Sequence, residues 1–421
     1  MLSEKRKEQM LQLLERELVP AMGCTEPIAL AFAGAKAREV LGEKPVEAAA
    51  YCSGNMIKNV RCVTIPNSGG MVGIQAAVTL GVEAGDADAG MEVLARVTQE
   101  QRKEVQELLK KNFCRVELLE SSYPLHIRLV VRGESHEAEV EICSSHTNIV
   151  LLKRDGQVLF QKEKDAPEEA SWDFLNLKNI KEFADTVPLS LVQDMIERQI
   201  CYNMEIAKEG LKGEYGLGIG KIIKEAYPDS IGTKMKAWAA AASEARMGGC
   251  DLPVIINSGS GNQGIASSVP VIVYGEEKGV TKEKLYRGLV FSALLTIWQK
   301  SFIGRLSAFC GAVSAACASG AAMTYLDGGS LEEIKMTIYN TLADTPGIIC
   351  DGAKVSCAAK IASSIDAAYM AHNLAARGKS YQPNTGILKE DVQETVSCVG
   401  YIGREGMRQT DLEILRLRLE A

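Results

Sequence analysis

Cys310, Cys350 and Cys357 are the residues whose type and spacing point most directly to chemistry. Thirty-nine residues separate the first two and six separate the last two. Were the last pair joined by helix, a rise of ~1.5 Å per residue would part the thiols by roughly 10 Å, too far for one compact centre. The Asp351-Gly352 step offers a break that could fold Cys350 back towards Cys357. Three thiolates on one centre leave a coordination position open, which a catalytic metal site needs. Soft sulfur suits zinc or an iron–sulfur cluster, and catalytic zinc more often includes histidine, of which the chain has only four. The competing reading is packing, because free cysteine usually behaves as a small buried hydrophobe. Cys52, Cys62, Cys114, Cys143, Cys201, Cys250, Cys317 and Cys398 are assigned to that class.

Cys24 is a second candidate. It stands just before an Ala-rich segment, residues 26–41, that reads as a helix, with Thr25 as cap and Glu26 and Pro27 in the first turn. A helix start favours a thiolate, so Cys24 could abstract a proton or bind a metal. Two Gly-rich turns echo each other. Asn67-Ser68-Gly69 and Asn257-Ser258-Gly259 each lead into an Ala-rich run, and such turns can aim backbone N–H groups at a carboxylate. Taken singly, either is equally well a plain surface turn. His146, in Ser144-Ser145-His146-Thr147, closes a strand-like run and could donate a proton, although a lone histidine is more often structural.

Two motifs together resemble a known family. The spacing of Cys310, Cys350 and Cys357, with Gly23-Cys24-Thr25-Glu26-Pro27, is similar to that of the iron–sulfur L-cysteine desulfidases, relatives of the iron–sulfur L-serine dehydratases. The resemblance runs from about Val19 to about Tyr401. It implies that the three cysteines ligate three irons of a 4Fe-4S cluster and that the fourth iron binds a small L-amino acid. It also matches Cys24 to an additional essential cysteine, either a base or a resting ligand of the fourth iron. The Ser-His-Thr element around His146 is similar to one in the related dehydratases. The implied reaction is β-elimination of L-cysteine to pyruvate, ammonia and hydrogen sulfide, with L-serine as the alternative substrate. A non-catalytic iron–sulfur or zinc sensor, or a metabolite-binding protein, is the rival of another class.

Composition is consistent with an enzyme of this kind. A chain of 421 residues, 46% hydrophobic and 24% charged, supports a large core and two domains. The net charge of −7 and 5% aromatic content argue against nucleic acid. Residues 1–8 hold no apolar signal core, so a cytoplasmic location with mostly free thiols is expected. Leu306 to Leu326 is uncharged and long enough to span a bilayer, but its Ala, Ser, Gly and Cys content predicts a buried helix and no membrane. Nothing in the chain fixes an oligomeric state, and a homo-oligomer is compatible with it.

The expected fold is α+β. Residues 1–89 and 170–421 read as a mainly helical catalytic domain carrying the cluster site, and 90–169 as a smaller α+β lobe. Strands are predicted at 115–119, 126–132, 137–143, 148–153 and 157–161, the last two joined by an Asp155-Gly156 hairpin. Residues 47–67 could be strand or irregular, and 164–177 reads as a charged linker.

Overall fold

The computed structural model of the chain describes residues 2–164, 172, 174–304 and 307–420. The first half runs α1 (Glu4–Glu17), β1 (Pro20–Met22), α2 (Thr25–Leu41), β2 (Glu47–Cys52), α3 (Gly54–Val60), α4 (Ile74–Ala84) and α5 (Gln99–Lys110). Strands β3 (Cys114–Leu118), β4 (His126–Arg132), β5 (Glu137–Cys143), β6 (Ile149–Arg154) and β7 (Gln157–Gln161) follow. The second half holds α6 (Leu177–Thr186), α7 (Gln193–Gly210), α8 (Ile219–Ala226), α9 (Ile231–Met247), β8 (Pro253–Ile255) and α10 (Gly261–Lys278). It continues with α11 (Lys282–Ile303), α12 (Gly311–Leu326), α13 (Leu331–Asp344), α14 (Cys357–Ala375), α15 (Val392–Tyr401) and α16 (Arg408–Glu420). The expected α+β class with helical bulk is what the chain adopts. Most of the predicted linker, 164–177, lies outside the described residues.

The main sheet has the order β3-β2-β4-β5-β6-β7. The five strands expected from β-forming runs are all present, each within a residue or so of its predicted bounds. Asp155 and Gly156 take φ of +50° and +77°, as a hairpin turn whose twist matches its strands requires. The sixth strand, β2, comes from the segment whose type composition left open. It lies between β3, parallel to it, and β4, antiparallel. Its Ala48-Ala49-Ala50 run has little intrinsic β preference, so tertiary pairing decides its state.

Helices α2 and α4 share one core with this sheet, so residues on both sides of position 90 contribute to it. The two helices cross at closest backbone approach: a Cβ on Gly81 would fall 2.0 Å from the Ala31 carbonyl oxygen, and one on Gly34 2.8 Å from that of Val78. Backbone cannot yield as a flexible side chain can, so Gly81→Ala should destabilise the fold by roughly 1–3 kcal/mol. A urea midpoint unchanged from wild type would show that the helices can separate without loss.

A second core joins the helices of the C-terminal half with α1. At its centre α12 is buried along Ala312–Leu326, as expected of the uncharged stretch. Leu306, where that stretch begins, lies outside the described residues. Among the described residues no helix is long and apolar enough to cross a membrane. Within this core the His372 ring is fixed on both nitrogens, Nε2 being 3.0 Å from Tyr274 Oη and Nδ1 2.9 Å from Thr324 Oγ1. The tyrosine hydroxyl donates to Asp327 at 2.9 Å, which assigns the neutral Nε2–H tautomer. Burial first holds the His372 pKa below its ordinary value, and Asp327 only partly opposes it. Below about pH 6.5 the unfolded chain therefore binds a proton that the folded chain resists, and stability falls as pH falls. His372→Gln should lose less stability than wild type between about pH 7.5 and about pH 5.5 in urea titrations. Equal losses would refute this.

Candidate active site

The thiol centre is built by a short strand-like contact. Phe309 pairs antiparallel with Ile349; Cys310 N–H donates to Ile348 O at 2.9 Å and Cys350 N–H to Ala308 O at 2.7 Å. This brings Cys310 and Cys350 together across thirty-nine residues of intervening chain. The chain then breaks at Gly352, with φ of +103°, and resumes as helix at Cys357. The break expected at Asp351-Gly352 is thus present, and it carries Cys357 back to within electrostatic reach of the other two thiols.

Cys310 and Cys350 share a proton. Cys310 keeps it, through its hydrogen bond to Cys350 and through burial. Cys350 is pulled down to about 6, first by that hydrogen bond and then by Lys58, the Gly352 N–H and Lys360. Lys58 is 1% exposed and forms an ion pair with Asp411 on α16. Lys360 donates to Asp351 at 2.7 Å and to the Ile349 carbonyl at 2.8 Å, holding the loop under the thiols. Cys357 is raised, chiefly by burial. The three side chains are half-buried rather than sealed. Among the described residues, no group of three His, Cys, Asp or Glu side chains stands close enough together to hold a metal ion. The donor set still fits an iron–sulfur cluster in kind: three soft thiols, one held as thiolate, around a loop with a glycine break.

Cys24 is the N-cap of α2, and its side chain makes no capping hydrogen bond. The thiol instead donates to Glu26 Oε2 at 3.1 Å. Glu26 is 8% exposed; its other oxygen accepts from Asn59 Nδ2 at 3.1 Å. The expectation of a thiolate at this helix start is corrected: burial first, and then the Glu26 charge, hold Cys24 well above the usual thiol range. The helix-end effect is worth at most ~2 kcal/mol, less than the cost of burying a thiolate beside a carboxylate. Burial pushes Glu26 up, but His146, the Cys24 hydrogen bond, a backbone N–H and Arg246 outweigh it and keep the carboxylate ionised. His146, 8% exposed, follows the end of β5 where Ser144 takes φ of +68°, and so reaches Glu26 electrostatically.

The two Asn-Ser-Gly turns separate in role. The Asn257 turn has Ser258 and Gly259 at φ of +50° and +76°, closed by reciprocal backbone bonds between Asn257 and Ser260. Gly259 O lies 3.0 Å from Thr25 Oγ1, so this turn adjoins Cys24. The Asn257 side chain is occupied within the turn and with Ala293 O, which leaves backbone N–H groups as the available donors. Asn67 differs from its expected role. Its amide bonds the carbonyls of Leu94, Ala95 and Val97, its oxygen accepts from Arg102, and its N–H donates to Asp251. Ser68 Oγ closes its own turn onto Ile65 O at 2.7 Å. Gly69, with φ of +73°, serves that turn, and Pro66 packs where a Cβ on Gly23 would fall. This first turn supports the Cys24 loop from behind.

Two residues distant from Cys24 in sequence, Gln263 and Arg246, complete the neighbourhood. Gln263 packs on Gly311, where a Cβ would fall 2.6 Å from its Cδ, and so links α10 to the Cys310 helix. Arg246 packs on Gly261 and influences both Cys24 and Glu26. Glu26 itself was visible in the sequence only as a first-turn acid. Its place two residues after Cys24 was the available signal; Arg246 and Gln263 carried none.

Comparison with known proteins gives the family. Residues 88–416 match the family described as serine dehydratase alpha chain. The chain belongs to that family. The matched residues of this chain include Cys310, Cys350, Cys357, His146 and the Asn257 turn, and begin after Cys24 and Glu26. Full-length relatives extend the likeness to those residues. A "UPF0597 protein" of Lachnoclostridium phytofermentans is 47% identical over 414 residues, covering 98% of this chain and 99% of its own. One of Treponema denticola is 45% identical over 428 residues, covering 100% and 99%. One of Bacteroides fragilis is 36% identical over 422 residues, covering 98% of both.

Proposed function

We propose that this protein is an iron–sulfur-dependent lyase that eliminates the β-substituent of a small L-amino acid, with L-cysteine favoured and pyruvate, ammonia and hydrogen sulfide as products. One observation carries the reading: a buried thiol–carboxylate pair, Cys24 and Glu26, in the same chain as three half-buried thiols, of which Cys310 and Cys350 are hydrogen-bonded and Cys357 is within electrostatic reach. Cys310, Cys350 and Cys357 would hold a 4Fe-4S cluster. Such a cluster with one iron not ligated by cysteine supplies Lewis-acid chemistry at the leaving group.

The chain's own residues handle the protons. Cys24 starts as a thiol and Glu26 as a carboxylate. To accept the substrate α-proton at Sγ, Cys24 first passes its own proton to Glu26 Oε2, 3.1 Å away. Asn59 and His146 hold Glu26 in place and in charge for that transfer. The pair returns one proton to the departing sulfur and ends as it began. The net change is loss of hydrogen sulfide from L-cysteine to give 2-aminoacrylate, which water converts to pyruvate and ammonia.

A second reading, dehydration of L-serine by the same proton path, is favoured by the description of the family. The test is anaerobic reconstitution with iron and sulfide, followed by pyruvate and sulfide release from L-cysteine with L-serine in parallel. Equal pyruvate and sulfide from L-cysteine support the proposal. Pyruvate from L-serine alone replaces it with the second reading. No turnover of either, with the cluster complete, sinks the lyase.

A further inference from the structure

We propose that Arg246 and Gln263 form the subsite that holds the zwitterionic end of the substrate, with Arg246 binding the α-carboxylate and Gln263 Oε1 accepting from the α-ammonium. This rests on the amino-acid lyase reading and adds the groups that would recognise such a substrate.

Arg246 is 2% exposed in the last turn of α9. One terminal nitrogen donates to Asn262 Oδ1 at 3.1 Å, and Nε has no hydrogen-bond partner. Among the described residues the guanidinium forms no ion pair. A buried cation with no counter-ion bonded to it is costly. The adjacent acid does not relieve it: both Glu244 oxygens accept backbone N–H groups, from Leu217 and Ile219, each at 2.6 Å. Glu26 and Cys24 feel the Arg246 charge, yet neither bonds it. Arg246 thus has an ionised carboxylate within electrostatic reach but no anion bonded to its guanidinium.

Gln263, 4% exposed, has a buried Oε1 with no hydrogen-bond partner. Both side chains abut helix starts made accessible by glycine. A Cβ on Gly261, the first residue of α10, would fall 2.2 Å from Arg246 Nε; one on Gly311, the first of α12, would strike Gln263. The N-caps of α2, α10 and α12 (Cys24, Ser260 and Cys310) make no side-chain capping bond, so N–H groups and the positive ends of three helices remain uncapped here. Thr25 joins α2 to the Gly259 turn before α10, and Gln263 joins α10 to α12. A buried cation packed on the start of α10, a buried acceptor from the first turn of α10 packed on the start of α12, and the Glu26 carboxylate within electrostatic reach of the cation suit an α-amino acid. A phosphate, with up to two negative charges, would need more cations than the single buried Arg246 supplies.

The test uses the anaerobically reconstituted protein and two ligands with no β-leaving group: L-alanine, a zwitterion, and L-alaninamide, which lacks the carboxylate. Calorimetric affinities are measured for wild type, Arg246→Gln and Arg246→Lys. Arg246→Gln should weaken L-alanine by roughly ten- to a hundredfold and leave L-alaninamide within about threefold; Arg246→Lys should recover part of the loss. If Arg246→Gln does not fold, Arg246→Lys against wild type carries the comparison, because loss of the bidentate fork should still weaken only the carboxylate ligand. L-alanine binding that is absent in wild type, unchanged in the variants, or lost equally with L-alaninamide overturns the subsite. Carboxylate-dependent binding without turnover of L-cysteine or L-serine would keep the subsite while the lyase reading fails.

Discussion

Glu26→Gln lowers kcat by about two to four orders of magnitude while iron content and the thermal midpoint stay near wild type. The amide keeps the shape of the carboxylate and can still accept from the Cys24 thiol, so the geometry at the start of α2 survives. Two things are lost. The variant cannot take the thiol proton, and it no longer places a negative charge beside Cys24. His146 and Arg246 then face no anion at that position. Because the effect falls on proton transfer, it should appear in kcat far more than in KM. Glu26→Asp, which keeps the charge but shortens the reach, should recover part of the rate. A Glu26→Gln enzyme within about threefold of wild type would remove Glu26 from the proton path and return the base to Cys24 alone.

Cys350→Ala leaves the reconstituted protein without retained iron and acid-labile sulfide, and turnover falls to background. Cys350 is the thiol whose pKa is pulled down first by the Cys310 hydrogen bond and then by Lys58, the Gly352 N–H and Lys360, so its loss removes the ligand most ready to bind. The control is Cys317→Ala. Cys317 lies on the same helix as the Cys310 cap, but it is fully buried in the helical core and points towards Thr341 and Gln299. That variant should retain iron and lose only about 1 kcal/mol of stability, the cost of a small cavity. Full iron retention in Cys350→Ala, or iron loss in Cys317→Ala, would overturn the assignment of the thiol set. Iron analysis with circular dichroism on both variants separates ligand loss from misfolding.

Much of this molecule was legible in the sequence because its signals are local. Asp155-Gly156 sets a hairpin through the φ values those residues tolerate, and β-forming runs mark the strands beside it. The uncharged run ending at Leu326 reads as a buried helix because small residues permit close packing on every side. The glycine after Asp351 marks the break between two cysteines. In each case the decisive physics lies within a few residues of backbone.

The failures share the opposite cause. Asn67 and Asn257 stand in nearly the same local sequence, yet one is tied to the loop at 94–97 and the other adjoins Cys24. The charge state of Cys24 followed from burial and from Glu26, which outweigh the helix end that the sequence displays. The alanine-rich β2 becomes a strand only because β3 and β4 flank it.

By itself the sequence determined which chemistry was available: the thiols, the acid beside one of them, and the helix start that follows Cys24. Only the tertiary structure decided which groups meet. Thr25 reaches Gly259, Cys310 pairs with Cys350, and Gln263 lies against Gly311 through contacts between segments far apart in the chain. Local backbone preference does not encode such contacts. They arise when two separately buried cores pack, with Cys310 against one and Cys24 and Cys357 against the other.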